Sequence, residues 1–447
     1  MSRSPQLSAP PSTDRQELIR WFRESRARSR KLFELVKPEA YYDRPISLRN
    51  PVVFYEGHLP AFSYNTLIRK GLRGPSLDEN LEVLFARGID PDDEAEANSR
   101  QASLWPSREE TQAYGKLVDS RVEEALRTGD IEREGDPLRE RANTAYTILE
   151  HEDMHHETML YMWHMLPLEK KVAPTEATIP PPSPGPLAHR TVRVPAGRAT
   201  LGASADAVFG WDNEYPEHIV EVPGFEIDVY SVTNADFQQF VAAGGYERRE
   251  LWRDEDWRWR EQTGLQHPNF WAEREGQWFW RGMFAEVALP QDWPVYVSHA
   301  EASAYARWKN RRLMTEAEFH RAAFGTPEGI ERPFPWGNDP PDNSRGNFGF
   351  QHWEPLPVGS CPAGASAWGI HDLFGNGWEW TSSLFGPFEG FSAMASYPQY
   401  SADFFDNQHF VMKGGSPATS LSLLRRSFRN WFRPNYPYVY AKFRCVN

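Results

Sequence analysis

The stretch QELIRWFRESRARSRKLFELV, residues 16–36, repeats apolar residues at three- and four-residue spacings, as a helix with one buried face requires. The same period runs through residues 107–129 (SREETQAYGKLVDSRVEEALRTG) and 136–166 (DPLRERANTAYTILEHEDMHHETMLYMWHML). With a shorter helix near HLPAFSYNTLIRKGL, residues 58–72, the pattern predicts about four helices, enough for an antiparallel bundle over residues 18–171. Residues 1–17 are expected to be a disordered tail. The prolines of ATIPPPSPGPLAH fit neither a helix nor a central strand, so residues 172–189 are expected to be an interdomain linker.

After residue 190 the period shortens. RTVRVPAGRATLG and HIVEVPGFEIDVYSVT read as strands, and NADFQQFVAAGG and SHAEASAYARWKNR as helices. A further helix at TEAEFHRAAFG opens on a capping box, Thr315 to Glu318. Long irregular segments such as ERPFPWGNDPPDNSRGNFGF lie between, and 15 of the 18 tryptophans fall in this half. Residues 190–447 therefore read as an α+β domain with little regular secondary structure, burying its area through aromatic slabs. Such surfaces suit pockets for small amphipathic or cationic ligands.

At 447 residues the chain is long enough for two or three domains. A net charge of −13 would repel phosphates, which argues against nucleic-acid or membrane-surface partners. No apolar run approaches 18 residues, and the start, MSRSPQLSAPPSTDRQE, lacks the apolar region of a signal peptide. Two cysteines, Cys361 and Cys445, offer no disulfide framework or cysteine metal cluster. The expectation is a soluble cytoplasmic protein.

EHEDMHHETML, residues 150–160, packs three histidines and four carboxylates into eleven positions. Residues four apart share a helix face, so His151 and His155 point together and His156 points elsewhere. That spacing lets one helix hold two corners of a metal site, though a hydrogen-bonded pair at a bundle surface has the same spacing. Ile148, Leu149, Met154 and Met159 surround the pair, and a buried imidazole needs a partner. Glu152 and Glu157 are candidates to orient the ligands from behind, with exposed helix charges as the plain alternative. His58 in VVFYEGHLPAFSYNTL is the candidate third ligand, while His156 and His164 read as structural. Three neutral histidines on a divalent metal leave positions for water, substrate or O2. On this chemistry the metal is zinc, in a hydrolase or transferase, or iron, in an oxygen-using enzyme.

Gly57-His58 and the run His151-Glu152-Asp153-Met154-His155-His156-Glu157 now join WPVYVSHAEASAYARW, RRLMTEAEFHRAA, DLFGNGWEWTSS, YPQYSADFF and KGGSPATSLSLLRRSFRNW. Together they resemble the ergothioneine-synthase type of sulfoxide synthase, across nearly the whole chain from about residue 18. The resemblance implies a DinB-like four-helix bundle followed by a sulfatase-modifying-factor-like domain of C-type-lectin-like α+β fold. It implies a mononuclear non-haem Fe(II) held by His58, His151 and His155, with O2 as co-substrate. Such enzymes join a sulfur or selenium donor to C2 of the imidazole of hercynine, trimethylated histidine. That C2–H is a poor acid and a poor electrophile, so the bond needs an oxidant. Tyr397 is implied as the catalytic acid and Tyr400 as a residue orienting the hercynine imidazole. Asn430 and Trp431 match positions that hold hercynine's carboxylate and flank its ammonium group, for which an aromatic face is apt. Without the resemblance, both tyrosines read as ordinary aromatic packing.

The departures carry information. The branch that uses γ-glutamylcysteine has Asp after the Asn-Trp pair and Arg four further on; here stand Phe432 and Tyr436. Met154 replaces a Gln common before the second helical histidine, and it cannot donate a hydrogen bond to substrate. An uncharged or different donor, free cysteine or a selenosugar, is therefore expected. EGHLPAFSYNTL, LFARGIDPDDE and RNWFRPNYPYVYAKFR resemble the selenoneine-synthase branch most closely, so a selenosugar is the first expectation and a thiol in ergothioneine synthesis the second. A zinc-dependent DinB-type transferase or hydrolase would give Asn430 and Trp431 no role. A formylglycine-generating activity needs a nearby cysteine pair, and Cys361 and Cys445 are 84 positions apart. By resemblance to relatives of this domain, Asn376 and Glu379 in GNGWEWT could line a structural Ca2+ site, with plain packing as an equal alternative, and Arg425, Arg426 and Arg429 are open as donor contacts or as structural cations.

Overall fold

The computed structural model describes residues 13–86, 105–175, 177, 179 and 189–447. The N-terminal part is helical: α1 (Arg15–Glu34), α2 (Val52–Ser63), α3 (Glu79–Leu84), α4 (Arg108–Thr128) and α5 (Asn143–Met165). Helix α1 packs on α4 and α5, and α2 packs on the same two. Asp14 caps α1 by accepting from the N–H groups of Gln16 and Glu17, so the helix begins inside the span expected to be disordered; residues 1–12 of that tail lie outside the described residues. Ser107 and Glu110 form a capping box on α4.

Two boundaries differ from the periodicity. Helix α2 starts at Val52, six residues before His58, because Val52–Ser63 is buried almost all round and shows no polar face. It runs on into a π-helical stretch, Tyr64–Gly71. Helix α5 starts at Asn143 and not near residue 136, because Arg141 and Ala142 take left-handed φ of 50° and 56° and break the spiral.

The second part is α+β with short strands. In chain order it holds β1 (Thr191–Val194), β2 (Gly197–Leu201), β3 (His218–Val222), β4 (Phe225–Asp228), α6 (Asn234–Ala242), α7 (Asp254–Thr263), β5 (Trp271–Arg274), β6 (Gln277–Arg281), β7 (Glu286–Ala288), α8 (His299–Trp308), β8 (Arg312–Leu313), α9 (Glu316–Phe324), β9 (Trp378–Leu384), α10 (Gln399–Ala402), β10 (Phe410–Lys413), β11 (Asn430–Phe432), β12 (Ala441–Lys442) and β13 (Cys445–Val446). Two four-stranded sheets run β1-β4-β13-β8 and β11-β10-β9-β12, beside a three-stranded β5-β6-β7 and a β2-β3 hairpin. The expected helices α6, α8 and α9 are present, α9 with its Thr315–Glu318 box. Helix α7, in DEDWRWREQT, carries no apolar stripe and was not foreseen.

One apolar cluster passes without a break from the bundle (Phe22, Phe54, Trp163) into the second part (Trp211, Trp280, Tyr440), and a second lies at the β1-β4-β13-β8 sheet (Val194, Ile227, Phe319, Val446). Among the described residues no helix is long and apolar enough to cross a membrane.

Candidate metal centre

His58 comes from α2, and His151 and His155 from successive turns of α5; their ligand atoms all lie within 4.8 Å of one another. His58 Nδ1 bonds the carbonyl of Phe85 at 2.8 Å and His155 Nδ1 bonds the carbonyl of His151 at 3.1 Å. Those carbonyls can only accept, so the protons sit on Nδ1 and the Nε2 lone pairs turn inward. His58 Nε2 stands 3.3 Å from His151 Nε2. Nitrogens at that separation, with His58 committed as an acceptor, need an N–H or a cation between them.

The local sequence holds this arrangement. Phe54 and Phe62, one turn either side of His58, stack on His58 (5.0 Å, 16°) and on His151 (3.5 Å, 7°). Gly57 is required by contact, since a Cβ there would lie 2.3 Å from the ring of Phe85. His58 and His151 are buried, 0% and 3% exposed, while His155 is half-buried and opens outward. Burial takes the His58 pKa down to about 4. Burial and then the neighbouring histidines hold His151 and His155 well below the usual imidazole range. All three are neutral at pH 7, which is the form a metal binds. Three imidazole nitrogens within 4.8 Å of one another, with His58 and His155 fixed as Nε2 acceptors, fit a mononuclear divalent metal with open positions.

Glu152 and Glu157 do not orient the triad as the spacing suggested; backbone carbonyls orient His58 and His155, and Phe62 stacks on His151. Every acid of the motif is instead buried and anchors α5 to a different neighbour. Glu150 accepts from Trp211 Nε1 (2.9 Å) and pairs with Arg425 (2.7 Å). Glu152 takes Ser29 Oγ (2.5 Å) and Arg26 (3.0 Å). Asp153 accepts from Trp21 Nε1 (3.0 Å), Ser25 (2.9 Å) and Ser422 (2.6 Å). Glu157 accepts from Trp378 Nε1 (2.6 Å), Ser416 (2.6 Å) and Thr419 (2.8 Å). His156 turns away to Ser29 Oγ at 2.8 Å, and His164 lies between Tyr440 Oη and the Arg281 carbonyl.

The second part supplies the facing wall. The Tyr397 ring lies 5.3 Å from Phe62, 6.5 Å from His151 and 5.7 Å from Tyr400. Tyr400 packs on Trp211 at 4.0 Å, and its hydroxyl reaches Met154 Sδ at 3.1 Å. Burial, then Glu214, Asp212 and Glu150, hold that hydroxyl protonated. Strand β11 divides the wall by its period of two. Trp431 turns to Tyr400 (5.3 Å) and Phe385 (4.0 Å), whereas Phe432 stacks on Tyr436 (5.0 Å) with Tyr161 edge-on. Asn430 Oδ1 accepts from the Trp431 N–H at 2.9 Å, which leaves Nδ2 as its donor face. Phe54, Phe62, Phe85 and Trp211 were missed at the sequence level, although aromatics four residues either side of His58 were a readable signal.

The three arginines are structural. Arg425 is held by Glu150 and Glu214, Arg426 by Glu331 (2.9 Å) and Arg429 by Glu316 (3.0 Å). At Asn376 and Glu379 the bonds formed fit the packing alternative and not a Ca2+ site. Arg444 (2.6 Å) and Lys442 both bond Glu379 Oε1, so no negative charge is left for Ca2+. Asn376 Oδ1 is spent on the N–H of Leu356 (2.8 Å) and on Asn347 (3.2 Å).

Residues 22–159 match the DinB superfamily, and residues 176–447 match the sulfatase-modifying factor enzyme 1-like domain. The chain is 36% identical over 446 residues to a hercynine oxygenase of Mycolicibacterium thermoresistibile, covering 97% of this chain and 95% of that protein. It is 29% identical over 499 residues to ergothioneine biosynthesis protein 1 of Neurospora crassa, covering 92% of this chain and 55% of that protein. A formylglycine-generating enzyme of Mus musculus is 33% identical over 230 residues, covering 44% of this chain and 59% of that protein.

Proposed function

Since this chain belongs to the hercynine oxygenase family, with a DinB-type bundle joined to a sulfatase-modifying-factor-like domain, we propose that it uses O2 to join the sulfur of a small thiol to C2 of hercynine's imidazole. The observation that carries this reading is the gathering of three histidine ligand atoms within 4.8 Å of one another, faced by Tyr397, which packs on Phe62 and His151, with Tyr400 and Trp431 beside it. The names of its relatives favour sulfur, and with it ergothioneine synthesis, over the selenium first expected.

The reaction balances as hercynine C–H plus thiol S–H plus O2 giving a C–S(=O) linkage and water. The four electrons that O2 accepts come from coupling C–H with S–H and from oxidising sulfur to sulfoxide. Fe(II), held by His58, His151 and His155, would supply O2 activation and a site for the thiolate. The face of Trp431 receives the trimethylammonium group. Asn430 Nδ2 donates to the carboxylate, and Tyr400, fixed by Trp211 and Met154, lies along the imidazole. Tyr397 Oη supplies a proton as oxygen is reduced, steering the outcome to coupled product and away from oxidation of the donor alone.

Phe432 and Tyr436 stack face to face where the dipeptide-using branch carries charges, and Arg49, 2.8 Å from Tyr436 Oη, is the cation beside them, so the single carboxylate of free cysteine suits this side better than the two of γ-glutamylcysteine. The same replacement of two charged side chains by Phe432 and Tyr436 favours a second reading, a selenosugar donor leading to selenoneine. The test is an Fe(II)-reconstituted assay with hercynine under air, offering cysteine, γ-glutamylcysteine and a selenosugar separately, read by mass spectrometry. Sulfoxide from cysteine is the expected result. Product from the selenosugar alone would replace sulfur by selenium, and no adduct from any donor would return the zinc-dependent transferase to first place.

A further inference from the structure

Tyr397 and Tyr400 share one short turn, and a serine pins that turn at each end. Ser401, after it, bonds Asp212 and accepts from Asn213 Nδ2 (2.9 Å), both in the second domain. Ser396, before it, is 4% exposed and reaches the opposite way. Its Oγ lies 3.0 Å from Thr147 Oγ1, and its carbonyl accepts from Lys70 Nζ at 3.0 Å. Thr147 stands on α5 one turn before His151, on the same face. Lys70 belongs to the π-helical stretch that continues the helix of His58. Both partners of Ser396 thus ride on the segments that carry the triad.

The bond to Thr147 has a fixed direction. Thr147 gives its one hydroxyl proton to the Asn143 carbonyl at 2.8 Å, so Ser396 must be the donor. A β-branched helical threonine bonded to its i−4 carbonyl has little rotamer freedom, so the acceptor is held still. We propose that Thr147 and Lys70 are positioning residues that register Tyr397 against the histidine triad, so that the metal-bearing helices, and not the domain that carries the tyrosine, set the reach of its phenol. Interdomain adhesion alone would not require this bond, because Glu157 and the Glu150–Arg425 pair already tie α5 to the second domain with buried charge. What Ser396 adds is its place, one residue from the phenol.

This inference deepens the reaction proposed above and rests on it for one of its two readouts. The first is 19F NMR of the full-length, zinc-loaded protein labelled with 3-fluorotyrosine, with the Tyr397 resonance assigned through Tyr397→Phe. Thr147→Val and Lys70→Met are expected to shift or split that resonance, and Thr147→Ser to restore it. The second is the ratio of hercynine adduct to sulfinic acid (RSH + O2 → RSO2H) made by the iron-loaded protein. It should fall about fivefold in Thr147→Val, the scale of one buried hydrogen bond, at unchanged iron stoichiometry and unchanged KM for hercynine, and recover in Thr147→Ser. An unmoved resonance, or an unmoved ratio, overturns the assignment. Wild-type protein that makes no adduct would sink the reaction reading, and the resonance alone would then decide the positioning role.

Discussion

Glu157→Ala tests whether the acids of α5 hold the two domains together. In the native protein the Glu157 carboxylate is the acceptor for the Trp378 indole at 2.6 Å, the Ser416 hydroxyl at 2.6 Å and the Thr419 hydroxyl at 2.8 Å, and all four side chains are buried. Leaving a buried donor without an acceptor costs about 1–3 kcal/mol. The indole cannot turn away and bears that cost in full. The two hydroxyls lie within 3.4 Å of each other and recover part of theirs by pairing. The sum is about 4 kcal/mol, against a total stability of about 5–15 kcal/mol for a domain. Glu157→Gln keeps one carbonyl acceptor and lets a hydroxyl accept from the new amide, so its cost should be about 1 kcal/mol. The assay is urea unfolding of the full chain followed by tryptophan fluorescence and near-ultraviolet dichroism. Since the lost bonds cross between domains, Glu157→Ala should also separate one transition into two. Wild-type stability in Glu157→Ala, or equal losses in the two variants, would refute the reasoning.

Four further outcomes are expected. His155→Ala should abolish iron binding and turnover while leaving the far-ultraviolet dichroism unchanged; retained activity would remove His155 from the metal site. Tyr397→Phe should keep hercynine binding but lower the yield of coupled product in favour of oxidised donor, and an unaltered product profile would remove its role as proton source. Gly57→Ala forces the Phe85 ring away from α2 and disturbs the carbonyl that orients His58, so metal affinity should fall about tenfold by competitive chelator titration. Glu379 has its carboxyl held at about 2, where Arg444 and Lys442 overcome the opposing effect of burial. A depressed carboxyl stabilises the fold above its ordinary value of 4.5, and that stabilisation is lost as pH falls from there towards 2. Glu379→Gln should therefore cost about 3–5 kcal/mol at pH 7, by stranding two buried cations, and should flatten the acid limb of the melting-temperature profile.

What the sequence made legible follows from how each element is buried. Helices α1 and α4 announce themselves because each has an apolar stripe, and α5 by its long run of spaced apolar residues, whereas α2 is short, buried almost all round, and its start is silent. The pairing of His151 with His155 needs only the helical period. The atoms that aim the rings of His58 and His155 are backbone carbonyls, one of them Phe85, 27 residues from His58, and a carbonyl leaves no trace in residue type. The anchoring roles of Glu150, Asp153 and Glu157 are silent in the sequence because the indoles, hydroxyls and arginine that bury them lie far along the chain, at Trp211, Trp378, Ser416, Thr419, Ser422 and Arg425. Asn376 and Glu379 suggested a cation site for the same reason. The cations that satisfy Glu379, Lys442 and Arg444, follow 63 and 65 residues later.

Helix α5 makes the two halves of this protein a single inheritance. A bundle cut at the linker would strip Glu150 and Glu157 of the partners that bury them and Asp153 of Ser422, leaving acids beside a site built from nitrogen donors. Exchanging the second domain for that of a distant relative would succeed only where the incoming chain brings an indole, a hydroxyl or an arginine to meet each of those acids. Recombination between members of such a family is thus filtered first by the fit of a few buried acids, and only afterwards by the substrate.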